Sequence, residues 1–356
     1  MFTRIEAKNY RCLKDVSQSL NPFEILVGPN GSGKSTFLDV IGFVGDFLAD
    51  DLEIAVARRT EDVRELFLVG TSDSTRLLVE AVVPESGNTV RYEIFLGRDV
   101  RTHRLMATRQ SFTIRPKGPG LWNQTILSSS DQSQRSTLVD AYPIEPDAAW
   151  LRDQLRQGIR TVTLDPIALR SPRPTNGTGG GSITGSGLPR MVATLKSRDA
   201  DRFQDWLEHV RTSFSEIRDV KTIPLGHSPY IEVEYEGEAR IPSWMVSEGT
   251  LRFLQLTILA YLPDFSGVYL IEEPENGVHP SALETIYQSL SSIDGAQVLV
   301  SSHSPILLNM ARPEQLLCFS KSPDGVKIVR GNEHPALKDW QNEVSLGTLA
   351  ASGILG

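Results

Sequence analysis

The run Gly28-Pro29-Asn30-Gly31-Ser32-Gly33-Lys34-Ser35 constrains this chain more than any other stretch of its sequence. It fits the P-loop pattern GxxxxGK[ST]. Before it Phe23, Ile25 and Val27 fall at every second position as in a strand, and after it the residues from Lys34 to about Phe47 read as a helix. Glycines let the backbone wrap so closely that its N–H groups point at phosphate oxygens, and the new helix turns its positive end to the same anion. In that geometry Asn30, Gly31, Ser32, Gly33, Lys34, Ser35 and Thr36 surround the phosphates of ATP. Lys34 reaches the β- and γ-phosphates, and the Ser35 hydroxyl holds Mg2+. A chain built on such a turn is expected to be α/β, of the P-loop NTPase class.

Three further patterns follow in order. Val268-Tyr269-Leu270-Ile271 forms a buried strand that ends in Glu272-Glu273-Pro274-Glu275, delivering carboxylates to the sheet edge that also carries the P-loop. Glu272 is placed to bind Mg2+ and Glu273 to act as general base on the attacking water. Standing alone, the same acids fit a solvated turn after a core strand. A second apolar strand, Gln297 to Val300, runs into Ser301-Ser302-His303-Ser304-Pro305, where His303 can hydrogen-bond a γ-phosphate. Ser247-Glu248-Gly249-Thr250-Leu251-Arg252 opens an apolar helix expected over Leu251 to Leu262, and taken by itself it is equally a helix cap with Ser247 as N-cap.

Between these halves the pattern changes. Thr75 to Arg115 is rich in β-branched and aromatic residues punctuated by Pro, Gly and Asn, and predicts an antiparallel β lobe. Ser171 to Gly187 holds six glycines and little to bury, so a mobile loop is expected there. Phe203, Trp206, Leu207, Val210 and Phe214 recur at helical spacing. The organisation expected is residues 1–74 as one half of the ATPase domain, 75–245 as an inserted β and helical lobe, and 246–356 as the other half.

Charge sharpens this division. The 356 residues carry a formal charge of −8, which argues against a chain coated in positive charge to wrap nucleic acid. Residues 246–356 carry −6, whereas residues 75–170 carry +3. Arg98, Arg101 and Arg104 belong to a basic stripe there, a candidate contact for a polyanion or an acidic partner, or simply a solvated strand face. Cys12 and Cys318 stand in no metal-ligand spacing, and no apolar run is long enough for a membrane span, so a cytoplasmic protein without a membrane partner is expected.

Taken together, the P-loop, the Ser-x-Gly signature, the acidic strand and the histidine strand resemble the ATPases of the ABC and SMC superfamily. Ser247 lies 25 residues before Glu272 and His303 lies 30 after Glu273, as in those families. More narrowly, NYRCLKD, GPNGSGKST, SEGTLRF, IEEPENGVHP and SSHSP resemble the bacterial ABC-type AAA family ATPases, which include the ATPase parts of overcoming-lysogenization-defect and RecF-like proteins, many of them in anti-phage defence modules. The resemblance covers Met1 to about Asp50 and Val246 to about Asn309.

It implies an ABC-type fold and a homodimer in which each Ser247-Glu248-Gly249 signature meets the ATP held by the other copy's P-loop. It also brings Arg11 to the nucleotide and makes Glu275 and Asn276 the D-loop at the subunit contact. Three departures stand out: Glu272 where transporters have aspartate, SEGTL where they have a second glycine and a glutamine, and no assignable Q-loop glutamine. The first two disfavour a transporter subunit. With no nuclease-like cluster in the sequence and 53 residues after His303, any cutting of DNA or RNA is expected of a separate effector subunit, a nuclease or a toxin. Three functions remain open at this level: an ATP hydrolase controlling such an effector in phage defence or repair, a nucleotide-gated scaffold with little turnover, and a transporter ATPase.

Overall fold

The strand that feeds the P-loop, Phe23–Val27, is buried at all five positions, as a strand covered on both faces must be. The computed structural model describes residues 1–70, 74–99, 104–118, 125–129, 133–140, 144–171, 182–183, 187–226, 228–323, 325–338 and 344–356. These fall into two compact units, one of Met1–Ile159, Pro313–Trp340 and Gly353–Gly356, the other of Arg160–Arg312 and Gln341–Ser352.

In the first unit Phe23–Val27 pairs in parallel with Leu316–Ser322, which turns back antiparallel into Gly325–Arg330. The helix Lys34–Ala49 follows the P-loop and buries Phe37, Val40, Ile41, Val44 and Phe47, an apolar stripe at helical spacing. Gly45 lets it close on the helix Pro146–Gln157: a Cβ there would stand 2.8 Å from the carbonyl oxygen of Leu155.

The β region predicted from Thr75 to Arg115 forms three long strands, Ser74–Val82, Thr89–Arg98 and Leu105–Arg115. They do not stand apart from the first residues of the chain. Ser74–Val82 pairs antiparallel with Phe2–Tyr10, which in turn pairs with Leu13–Ser19, and Thr125–Ser129 completes a six-stranded antiparallel sheet. Alternating burial along Thr89–Arg98 places Val90, Tyr92, Ile94 and Leu96 on the packed face. A buried network holds this sheet to the residues after it, with the Tyr92 hydroxyl donating to Gln110 and lying 2.7 Å from the Ser136 hydroxyl. Burial pushes the Tyr92 phenol above the range in which a tyrosine ionises in water.

In the second unit Val268–Glu272 and Gln297–Ser301 run parallel, register Glu272 to Ser301. On the far side of Val268–Glu272 lie Ile159–Val162 and the short strand Ser182–Ile183. The aromatics expected on one helix face do so: Ala200–Arg211 buries Phe203, Trp206, Leu207 and Val210, and the Trp206 indole N–H donates to Thr257 Oγ1 at 3.0 Å. The helix expected to run to Leu262 ends sooner, at Thr257, and tightens into a 3-10 turn over Ile258–Tyr261. Thr257 turns its hydroxyl back to the Phe253 carbonyl, the kind of local bond that competes with regular helix. Of the glycine-rich segment Ser171 to Gly187, only Ser171, Ser182, Ile183 and Gly187 lie within the described residues.

Candidate functional site

In the first unit the P-loop is shaped by its glycines. Gly28, at φ 151°, lies where a Cβ would stand 2.2 Å from the Phe319 carbonyl oxygen, so no side chain fits. Gly33, at φ 97°, is the N-cap of Lys34–Ala49 in a left-handed conformation that favours glycine, and no side chain caps the helix. The first turn therefore keeps the backbone polarity that draws anions to a helix start. Lys34 is almost entirely buried and donates to the carbonyl oxygens of Gly28 and Pro29 at 2.8 and 3.1 Å, spanning the loop it closes. Ser32 is fully buried, and its hydroxyl has no hydrogen-bond partner among the described residues. Asn30, Gly31 and Ser35 are exposed. Thr36 Oγ1 accepts from the Cys12 thiol at 3.4 Å.

Arg11, beside Cys12 and itself at φ 51°, stands 3.8 Å from Asp39 on the P-loop helix. Asp39 also accepts from the Tyr10 hydroxyl and from Arg59 Nε, each at 2.7 Å. Burial and the Asp39 carboxylate both push the Tyr10 phenol well above its ordinary value. Burial works against the Arg59 charge, and Asp39, Tyr10 and Asp46 more than offset it.

The second unit holds the remaining candidates together. Glu273 leaves the acidic strand at φ 47°, an uncommon conformation for a residue with a side chain, and its N–H donates to Ser301 O at 2.8 Å. Glu272 is exposed at the strand end. Asn276 Nδ2 donates to Glu273 Oε2, and His303 Nε2 stands 4.0 Å from Glu273 Oε1. Glu275 Oε1 accepts from Ser302 Oγ at 2.9 Å and from the His303 N–H at 2.7 Å, fixing the histidine turn, while its Oε2 is buried without a partner among the described residues.

Ser247 caps the signature helix Glu248–Thr257, accepting from the Thr250 N–H at 3.1 Å. Gly249 touches backbone: a Cβ there would stand 2.5 Å from Gly277 O. Glu248 pairs with Arg252 at 2.6 Å, and Arg252 donates to the Asn276 carbonyl. The signature is thereby tied to the turn that carries Asn276.

Sequence reasoning missed Arg252 and Ser302 as supports of this cluster. The i,i+4 spacing of Glu248 and Arg252 was a local signal for the first. No local signal marks Ser302, whose partner lies 27 residues away.

The donor set suits the groups expected of it. Ser35 and Glu272 offer only hard oxygen donors, which Mg2+ prefers. The glycine-shaped loop, the buried Lys34 ammonium and the unpartnered Ser32 hydroxyl suit a polyphosphate. Of the basic stripe, Arg98 ends the strand Thr89–Arg98, Arg104 precedes the strand Leu105–Arg115, and Arg101 lies outside the described residues. Arg91 pairs with Glu80 at 2.8 Å, and Arg109 stacks over the Phe95 ring.

A family model described as an AAA domain, whose description also names AbiEii toxin and Type IV TA system, matches residues 25–309. The OLD nuclease of Thermus scotoductus is 23% identical over 387 residues, covering 98% of this chain and 68% of that protein. Among solved structures, an SMC head bound to the C-winged helix domain of ScpA matches with TM-score 0.58 at 17% identity, over 92% of this chain and 96% of that one. The SMC head domain from Thermotoga maritima matches with TM-score 0.51 at 13% identity, over 92% and 98%. With the mixed α/β architecture, the P-loop and the acidic strand already in place, the match over residues 25–309 makes the chain a member of this AAA-domain family, with a fold like that of the SMC heads.

Proposed function

We propose that the chain binds ATP with Mg2+ and hydrolyses it, and that two copies close around the nucleotide to control a separate DNA- or RNA-directed effector, a nuclease or toxin, in phage defence or repair. The observation that carries this reading is the setting of Glu273. A carboxylate at the end of the acidic strand, held by an amide at one oxygen and with an imidazole 4.0 Å from the other, suits a general base for work on water. Glu273 takes the proton of the attacking water. His303, fixed through its backbone by Glu275, serves as the hydrogen-bond partner of a terminal phosphoryl oxygen. Lys34 leaves the loop carbonyls for the β- and γ-phosphates, and Asn30, Gly31, Ser32, Gly33, Thr36 and Arg11 line the anion. Mg2+, when bound, neutralises charge building on the phosphate oxygens, with Ser35 and Glu272 to hold it.

The homodimer rests on the signature: Ser247, Glu248 and Gly249 begin a helix whose positive end suits a phosphate from the partner copy, beside the Glu275–Asn276 turn. The nuclease named in the Thermus relative supports a nucleic-acid setting. Arg98, Arg101 and Arg104 are the candidates in this chain for meeting a polyanion there.

Phosphate release from the wild type, Lys34→Ala and Glu273→Gln tests the core of the reading. Loss of a general base costs about 10²- to 10⁴-fold. Glu273→Gln is expected to bind ATP and accumulate as an ATP-dependent dimer in light scattering, and Lys34→Ala to do neither. Turnover that survives both substitutions sinks the proposal.

A further inference from the structure

The hairpin of Leu316–Ser322 and Gly325–Arg330 is seated on the P-loop at three successive points of the same unit. The Phe319 carbonyl approaches Gly28, Val326 Cγ2 would meet a Cβ at Gly33 at 3.0 Å, and the Lys321 ammonium would meet one at Gly31 at 3.0 Å. Register explains this. Cys318 pairs with Val27, the last residue before the loop, so the next hairpin residues run alongside it, and Lys321 lies directly across the hairpin from Val326. Phe319 and Lys321 are two apart and share a face of their strand, and the Phe319 ring packs on Phe37 of the P-loop helix at 5.6 Å.

Lys321 is exposed, and among the described residues it makes no hydrogen bond or ion pair. An ammonium over the glycine turn of a phosphate loop is placed to meet a bound phosphate. Lys34 meanwhile enters from the helix below, bound to Gly28 and Pro29 carbonyls.

We propose that Lys321 is a second phosphate-contacting cation of the nucleotide site, delivered by the hairpin and reaching the polyphosphate from the side opposite Lys34. This deepens the ATP-binding reading and rests on it. Lys321 binds the chain of phosphates and leaves the nucleoside untouched, so its contribution grows with the number of phosphates.

The test measures binding of a fluorescent ATP analogue to the full chain, with ATP, inorganic triphosphate and adenosine as competitors, for wild type, Lys321→Met, Lys321→Arg and Lys34→Ala. Methionine keeps the apolar stem, and thermal melting confirms that each variant is folded. Loss of one charge-assisted contact is expected to weaken ATP and triphosphate about 10-fold in Lys321→Met. Arginine should restore most of the affinity, and adenosine should be unchanged. ATP affinity within twofold of wild type in Lys321→Met, while Lys34→Ala abolishes binding, overturns the role of Lys321 alone. Equal weakening of adenosine and triphosphate overturns the phosphate assignment. Undiminished binding by Lys34→Ala removes the P-loop reading and the proposal with it.

Discussion

Glu24, the second residue of the strand that leads into the P-loop, is completely buried, and Arg330 at the end of the adjoining hairpin donates to both its oxygens at 2.9 and 3.2 Å. Two effects oppose each other there. Removal from water favours the protonated acid, whereas the Arg330 charge and the Asn21 N–H favour the carboxylate. Burial wins, and the Glu24 pKa rises from 4.5 to about 7. A group whose folded pKa is raised adds stability below its unfolded value and loses it as pH climbs through the folded one. Between pH 4.5 and 7 the fold should therefore lose roughly 3 kcal/mol at this site, taking 1.36 kcal/mol for each unit of that shift.

Urea unfolding of the wild type and Glu24→Gln from pH 4.5 to 8 isolates the effect, because other titrating groups cancel in the difference between the two proteins. The wild type should lose stability relative to the variant as pH rises, with the change centred between the two pKa values. A difference that stays flat would show that Glu24 ionises as it does in water. A difference that grows in favour of the wild type with pH would mean that Arg330 outweighs burial, and the reasoning would be refuted.

Three further outcomes follow from geometry. Asp39→Ala strips partners from the nearly buried Arg59 and from the Tyr10 hydroxyl and should cost about 3 kcal/mol in denaturant unfolding, with Asp39→Asn costing less because an acceptor for Tyr10 remains. Gly249→Ala places a methyl 2.5 Å from the Gly277 carbonyl oxygen and should lower stability by about 1–3 kcal/mol despite alanine's better helix propensity, so an unchanged or raised melting temperature would contradict that contact. Glu275→Ala frees the Ser302–His303 turn; on the proposed mechanism turnover falls at least about 10-fold while ATP affinity stays within about twofold, and parallel losses in both would tell against a positioning role.

What could be read from the sequence was local. The P-loop and its helix were legible because a phosphate loop needs glycine at fixed points, and the structure shows the reasons at Gly28 and Gly33. The acidic strand was legible because four apolar residues before a pair of acids have few other ways to fold. The long antiparallel pairing of Phe2–Tyr10 with Ser74–Val82 was not, since a strand's partner is chosen by registers far apart in the chain. The end of the signature helix at Thr257 was hidden because apolar residues continue to Leu262, and periodicity does not distinguish a regular helix from its tighter last turn. Glu275 had been given a D-loop role by resemblance. Its bonds to Ser302 and His303 cross 27 and 28 residues of sequence and emerge only in three dimensions.

The contact between Gly249 and Gly277 places a restriction on how this protein can change over evolutionary time. Neither position readily accepts a side chain, for different reasons: Gly277 sits at φ 71°, a conformation that favours glycine, and a Cβ at Gly249 would press on the Gly277 carbonyl oxygen. Two segments 28 residues apart in sequence thus meet where neither has room for an added side chain at its glycine. Lineages that place a side chain at Gly249 are obliged to move the loop after the acidic strand as well.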